Sequence, residues 1–343
     1  MRVELSPVRY WRHELTHCLH TTAGVLLDFH GLDPVHALGA GWGFICPPGD
    51  LRREEYYLPG AADDLFAGLA PFHDVSSRWH QPADAEQGWR EVRAALTAGT
   101  PVAVAADNFH LPFRPAYQDV HTNHLMVLYG YDDDSGEVFV ADPVPPAFQG
   151  TIPLAALTAA RDSGNPIRHD RDLFFTANPI GNRWLELTIG PDQPAFDAPF
   201  VRHAVRQNVQ AYRTGSADGV LRGLAGLRRF LDDGVEALAR GPVGGGSTAS
   251  DELFVVVGPL LAVTGLHAEF LREAARRLAE PRLAEIARQV DSVAHHWSAL
   301  RIAVATAAEE GPGAETGLRH RAKDVLAAYE DALDQMTEWL RAA

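Results

Sequence analysis

Cysteine and lysine are the scarce residues of this 343-residue chain. Its two cysteines, Cys18 and Cys46, cannot build a disulfide framework, so a reduced cytoplasm is the expected compartment. No apolar run reaches the roughly 18 residues that a spanning helix needs. The opening residues, Met1-Arg2-Val3-Glu4-Leu5-Ser6-Pro7, lack the apolar stretch of a secretory signal. Positive charge is in deficit: 30 Lys+Arg against 45 Asp+Glu give a formal net charge of −15 and a pI near 5.5. That balance argues against nucleic acid and anionic membranes as main partners. What is present is 46% hydrophobic and 22% charged, a globular composition with ample core for one large domain or two ordinary ones. Abundant alanine, arginine and glycine beside scarce lysine fit a GC-rich bacterial genome.

The first half alternates helical and strand patterns. Residues 16–30 predict a helix, with Ala23, Leu26, Leu27 and His30 at helical spacing, Thr16 as a cap and Gly31 as a stop. The turn-rich segment Gly39-Ala40-Gly41-Trp42-Gly43-Phe44 follows. Residues 84–98 predict an amphipathic helix from Asp84 to a stop at Gly99, and Pro101–Ala106 a buried strand. His124–Tyr131 and Glu137–Ala141 predict a hairpin about the turn Asp132-Asp133-Asp134-Ser135-Gly136. A short helix at 151–160 and strands at Leu173–Ala177 and Trp184–Ile189 complete this half. After Pro191 the chain is Ala/Leu/Arg/Glu-rich with helical spacing over 197–240, 251–280, 281–309 and 316–343, jointed at Gly241–Ser250 and Gly311-Pro312-Gly313. The reading is α+β: a catalytic domain over 1–180, then an all-α domain over 181–343.

Three residues carry chemistry in this frame. Cys18 stands near a helix start, where free N–H groups favour a thiolate. His124 opens an apolar strand and Asp142 ends the next, so a base and its orienting carboxylate fall on adjacent strands. Cys, then His, then Asp, in this order and on these elements, is the arrangement of papain-like enzymes, which work on acyl groups. The oxyanion would be held by the Cys18 N–H and a side-chain donor, for which Arg12, His13 and His17 are candidates. Asp107 is a candidate for orienting a base or binding an acceptor amine, with an ordinary strand-end carboxylate as the other reading, and Trp42 and Tyr117 are candidates for lining the pocket, with core packing as the other reading.

A second signal overlaps the first. His13-Glu14-Leu15-Thr16-His17 has the H-E-x-x-H pattern of zinc hydrolases, and His20, His110, His121 or His124 could add a ligand. Only twelve residues precede His13, and a helix capped by Thr16 would put His13 outside it. The pattern is therefore kept as the alternative, with no metal site assigned.

Residues 17–143 resemble the butirosin BtrH-type acyltransferase family, relatives of papain-like bacteriocin-processing peptidases. The resembling segments are His17-Cys18 to Gly31, Leu38–Phe44, Pro101–Asp107 with Leu111-Pro112-Phe113, Asn123–Val127 through Gly130–Asp133, and Val138–Pro143. The helical half is similar to the accessory domain fused behind such domains. The resemblance implies a papain-like fold and transfer of an acyl group, through acyl-Cys18, from an acyl-carrier-protein thioester to a small-molecule amine in bacterial natural-product biosynthesis. Cyclisation or hydrolysis of the carrier-bound chain is the same-chemistry alternative. No cofactor is implied beyond the carrier's phosphopantetheine. Arg222, Arg228 and Arg229, or Arg272, Arg276 and Arg277, are candidate docking sites for an acidic carrier, and the helical half also has a lid, an acceptor site or a homodimer interface open to it.

Overall fold

The computed structural model describes residues 1–49, 66, 68–168, 178–240, 249–310 and 314–342. They fall into two compact units. One comprises Met1–Pro34 and Val75–Gly190; the other comprises residues 35–49, 66, 68–74 and those from Pro191 onward. The division is thus discontinuous in sequence. The strand expected at Leu173–Ala177 and most of the joints at Gly241–Ser250 and Gly311-Pro312-Gly313 lie outside the described residues.

The first unit is a mixed α+β domain on an antiparallel sheet. Its centre is β5 (Asn123–Asp132), buried from Asn123 to Tyr131. On one side β5 pairs with β4 (Val102–Asp107), and β1 (Arg2–Glu4) continues that side beyond the end of β4. On the other side lie β6 (Glu137–Asp142) and then β7 (Phe148–Pro153); β8 (Trp184–Ile189) and β3 (Val75–His80) extend the sheet past β4. The hairpin expected between β5 and β6 is present. Strands β3 and β7 were not legible, because their alternate residues are partly exposed and carry no apolar run.

Helices pack on this sheet. In α3 (Ala85–Thr97) the Asp84 carboxylate accepts the Gln87 N–H at 2.8 Å, an N-cap that fixes the start expected there. Its Val92 and Leu96 join Val104, Met126, Leu128 and Val140 in one core cluster, with Leu157 of α4 (Leu154–Arg161). Helix α1 (Cys18–Phe29) is buried continuously from Leu19 to Leu27. Thr22 Oγ1 donates to the Leu125 carbonyl at 3.0 Å and ties the helix to β5. Gly24 is in α1 because Trp11 lies where a side chain would be: a Cβ there would come 1.9 Å from the indole ring.

The second unit is helical: α2 (Pro34–Ala40), α5 (Ala198–Arg213), α6 (Gly223–Arg240), α7 (Ala249–Arg277), α8 (Pro281–Glu310) and α9 (Ala314–Ala342), with a two-stranded ribbon of β2 (Ile45–Cys46) and β9 (Leu221–Arg222). Asn208 holds the turn-rich segment in place. Its Oδ1 accepts from the Trp42 N–H and its Nδ2 donates to the Ala40 carbonyl, each at 2.9 Å. His267 Nδ1 bonds the Gly39 carbonyl at 2.7 Å, and burial pushes the His267 pKa down to about 4, so its ring is neutral. Trp42 is 2% exposed and stacked between His267 and Tyr329. Of the two readings open to it, pocket lining and core packing, the structure has it in the core.

The arginine clusters of this unit are matched by carboxylates. Arg228 pairs with Glu330, Arg229 with Asp233, Arg272 with Glu269 and Asp291, and Arg276 and Arg277 with Glu273. Five of the six clustered arginines thus have a carboxylate partner, and Arg222 lies on β9. Among the described residues no helix is long and apolar enough to cross a membrane.

Gly24→Ala is expected to cost about 1–3 kcal/mol in urea unfolding, the usual penalty for overpacking a filled site. Trp11→Ala in the same chain should recover part of it. An unchanged midpoint for Gly24→Ala would show that Trp11 is not anchored against α1.

Candidate active site

The start of α1 decides the site. The helix begins at Cys18 with His17 as its N-cap, and no side chain caps it. Thr16, expected as the cap, instead turns back and donates through Oγ1 to the His13 carbonyl. The first-turn N–H groups, that of Cys18 included, therefore have no partner within the helix, and no acidic side chain offsets the positive end. Gly31, at φ +82°, follows the helix and provides the stop expected of it.

His124 and Asp142 share a face of the sheet. Val127 lies opposite Ala141, so Asp142 comes level with Met126 and diagonal to His124. His124 Nε2 bonds Asp142 Oδ2 at 2.8 Å, which leaves Nδ1 for the Cys18 thiol, with which the ring is hydrogen-bonded. His124 and Asp142 are buried, and Cys18 keeps partial exposure. The structure thus brings together the three residues singled out from the sequence.

The Asp142 carboxylate is held in turn. Its Oδ1 accepts the Val144 N–H at 3.0 Å. Its Oδ2 also accepts from Arg114 Nη1 at 3.2 Å, and the same Nη1 donates to the Val144 carbonyl at 2.9 Å. Arg114 comes from the irregular segment between β4 and β5, where its N–H bonds the carbonyl of the buried Leu111. Sequence reasoning missed it. The only signal was an arginine directly after Leu111-Pro112-Phe113, in one of the family-like segments.

Charge is distributed accordingly. Burial alone would push the Cys18 thiol up, but hydrogen bonds to His124 and His17, and the charge on these rings, bring it down to about 5. Burial would push His124 down, but the Asp142 charge and hydrogen bond, with the thiolate opposite, raise it to about 9. Burial opposes ionisation of Asp142 too, and His124 and Arg114 overcome it and hold the carboxyl below its ordinary range. At neutral pH the site is a thiolate–imidazolium pair backed by a carboxylate.

The remaining candidates separate. His17 stays at the site, bonded to Cys18 and, through Nε2, to His20 Nδ1 at 3.1 Å. Arg12 is exposed, and His13 is partly buried in the turn ahead of α1. Tyr117 is 43% exposed, its hydroxyl accepting from Gln118. Asp107 serves a different histidine. Its Oδ1 accepts from the Phe109 and Thr122 N–H groups, and its Oδ2 bonds His121 Nδ1 at 2.7 Å and Ser163 Oγ at 2.6 Å. Four donors fill the carboxylate's capacity in a residue with no exposure, so Asp107 has nothing left for an acceptor amine.

The zinc alternative fails on helix placement. A H-E-x-x-H pair chelates when both histidines stand one turn apart on a helix. Here α1 starts after His17, and His13-Glu14-Leu15-Thr16 is a turn. Among the described residues no three His, Cys, Asp or Glu side chains are grouped to hold a metal.

Residues 17–143 match the family model described as butirosin biosynthesis protein H, N-terminal. The matched segment runs from the N-cap of α1 to the residue after Asp142, and so contains every member of the Cys-His-Asp set. No curated protein matches the chain.

Two outcomes follow from these charges. In a Cys46→Ala background, the ultraviolet absorbance of the Cys18 thiolate should rise through an inflection near pH 5. Asp142→Asn should move it up by about one pH unit or more, since the imidazolium loses its opposite charge. A wild-type inflection at about 8.5, the value of a free thiol, would refute the ion pair. Stability should also depend on pH in a definite way. Between about 6.5 and 8.5 the folded pair and the unfolded chain each hold one proton across these two groups, so their contribution is flat. Below about 6.5 the unfolded chain binds a second proton, so stability should fall toward pH 5. Urea midpoints of wild type and Cys18→Ala across this range would show the difference.

Proposed function

We propose, from the match of residues 17–143 to the butirosin biosynthesis protein H N-terminal family model, that the chain is a cysteine-dependent acyltransferase of natural-product biosynthesis. It takes an acyl group from an acyl-carrier-protein thioester and passes it to an amine. The observation that carries this reading is the Cys18 thiol at the open end of α1, bonded to a His124 that Asp142 orients.

The steps use only these groups. The Cys18 thiolate attacks the thioester carbonyl, and the negative charge formed on oxygen meets the free Cys18 N–H at the positive helix end. The carbon–sulfur bond to the carrier's phosphopantetheine arm breaks, and the leaving sulfur takes the His124 proton. The acyl group is then a thioester of Cys18, and His124 is neutral. An incoming amine attacks the same carbonyl and gives its proton to His124. Collapse expels the Cys18 thiolate, forms the amide and restores the ion pair. Asp142, fixed by Arg114 and the Val144 N–H, stabilises the imidazolium at both ends of the cycle. With water in place of the amine the same steps hydrolyse the chain, and with an internal nucleophile they cyclise it.

The test is intact-protein mass spectrometry after mixing with acyl-carrier proteins or acyl-thioester mimics. Wild type is expected to gain the mass of one acyl group, Cys18→Ala none, and His124→Ala to gain it at least about 100-fold more slowly, as loss of a general base implies. Adding amines should discharge the adduct as amide. Adducts formed equally by Cys18→Ala would overturn the reading.

A further inference from the structure

Arg114 reaches the catalytic set from outside it, on a segment that is anchored twice. Phe113 stacks on Phe148 with ring centroids 4.3 Å apart, and Phe148 stands opposite Asp142 in the β6–β7 register. The Arg114 N–H bonds the carbonyl of the buried Leu111 at 3.0 Å. From there the guanidinium meets the same carboxylate oxygen as the imidazole. Asp142 Oδ2 accepts from Arg114 Nη1 at 3.2 Å and bonds His124 Nε2 at 2.8 Å. The Arg114 side chain is 10% exposed and that of Asp142 not at all, so water screens this pair little. Burial leaves Arg114 Nε without an acceptor among the described residues, a cost set against the contacts at Nη1.

Four charges lie along this line of contacts at rest: thiolate, imidazolium, carboxylate and guanidinium. They sum to zero. In the acyl-enzyme the sulfur is uncharged, and His124 has to be neutral because it must take the proton of the amine. Asp142 then faces a neutral ring. A buried carboxylate beside a neutral imidazole draws a proton onto the pair unless another cation balances it. Arg114 is that cation, and guanidinium groups are not deprotonated in proteins. With it the sum is zero at both stages.

We propose that Arg114 is a positioning residue for the second half-reaction: through Asp142 it keeps His124 of the acyl-enzyme free of a proton, and so able to act as the base for the acceptor. The proposal rests on the acyl-Cys18 reading above and deepens it. In the step concerned, the acceptor nitrogen bonds to the acyl carbon and its proton goes to His124 Nδ1. The carbon–sulfur bond breaks with its electron pair left on Cys18. Without the guanidinium, His124 would already hold a proton at neutral pH and the step would lack its base. Loading of Cys18 starts from the imidazolium and has no such need.

The charged and titratable groups facing His124 and Asp142 are Cys18 and, beyond it, His17 from the start of α1, and Arg114 from the segment ahead of β5. Asp107 and His121, near the first residues of β5, are bonded to each other.

Intact-protein mass spectrometry can time the two halves apart. The full chain is loaded with an acyl N-acetylcysteamine thioester and freed of excess donor. Discharge to hydroxylamine, an amine uncharged over most of the range, is followed from about pH 6 to 10, with loaded His124→Ala as the background and thermal melting as the check on folding. Wild type should discharge with an inflection at about 8 or lower, since His124, at about 9 at rest, has lost the thiolate and faces a carboxylate that Arg114 balances. Arg114→Met should raise this inflection by about one pH unit, so that discharge relative to loading falls about tenfold at neutral pH. Arg114→Lys keeps the charge and should restore most of both. Arg114→Gln keeps a donor without the charge and should behave as Arg114→Met, which it replaces if that variant does not fold. An unshifted inflection in the folded neutral variants, or equal shifts in Arg114→Lys and Arg114→Gln, would reduce Arg114 to a clamp on the turn beyond β6 and overturn the inference. A wild-type inflection above about 8 would overturn it with no variant needed. If wild type takes up no acyl group, or Cys18→Ala takes it up equally, the parent reading fails and this one with it. Normal loading of Cys18 beside an unshifted discharge leaves the parent reading standing alone.

Discussion

The hydrogen bond from His124 to Asp142 is the contact on which the site depends. It commits Nε2 to the carboxylate, so Nδ1 is the nitrogen left to meet the thiol. That geometry is set by strand register rather than by the two side chains. A slip of one residue between β5 and β6 would send Asp142 to the opposite face. The buried residues of both strands hold the register, so core packing and catalytic geometry have the same origin. Arg114 is the outermost member of the chain of contacts. It neutralises part of the charge that Asp142 would otherwise carry into a dry environment, and its bond to the Val144 carbonyl fixes the turn beyond β6.

The place where α1 starts is the second determinant, and there the sequence pattern was ambiguous. Thr16 is a better capping residue than His17 by composition. The hydroxyl goes to the His13 carbonyl instead, and the helix opens one residue later than the threonine would have set it. The consequence is that Cys18 is the first helical residue rather than the second. The His13 to His17 spacing, which would chelate a metal on a helix, falls across a turn. A five-residue motif reads as chemistry only where its secondary structure is known.

The same contrast marks what was legible. Cys18, His124 and Asp142 could be read because strand ends, a hairpin turn and a helix start leave periodic signals on either side of them. Arg114 could not, because it reaches its partner from an irregular segment. Asp107 was visible as a strand-end carboxylate, but nothing in the sequence told that Ser163 and His121 would fill it. Trp42 could be read either as pocket lining or as core, and nothing local separated the two because its partners lie far along the chain.

Those partners bear on how the molecule is made. Trp42 bonds Asn208 and Thr264, 166 and 222 residues downstream, and stacks on Tyr329 near the end of the chain. During vectorial synthesis the Gly39–Phe44 segment leaves the ribosome long before anything exists for it to pack against. The sheet that carries Asp142 can form in the meantime, since its strands are complete by Ile189. A nascent chain thus spends most of its synthesis with an apolar, aromatic segment waiting unpaired. The helical second half is what eventually shelters it, so for this polypeptide the trailing half has the role of a built-in chaperone for part of the leading one.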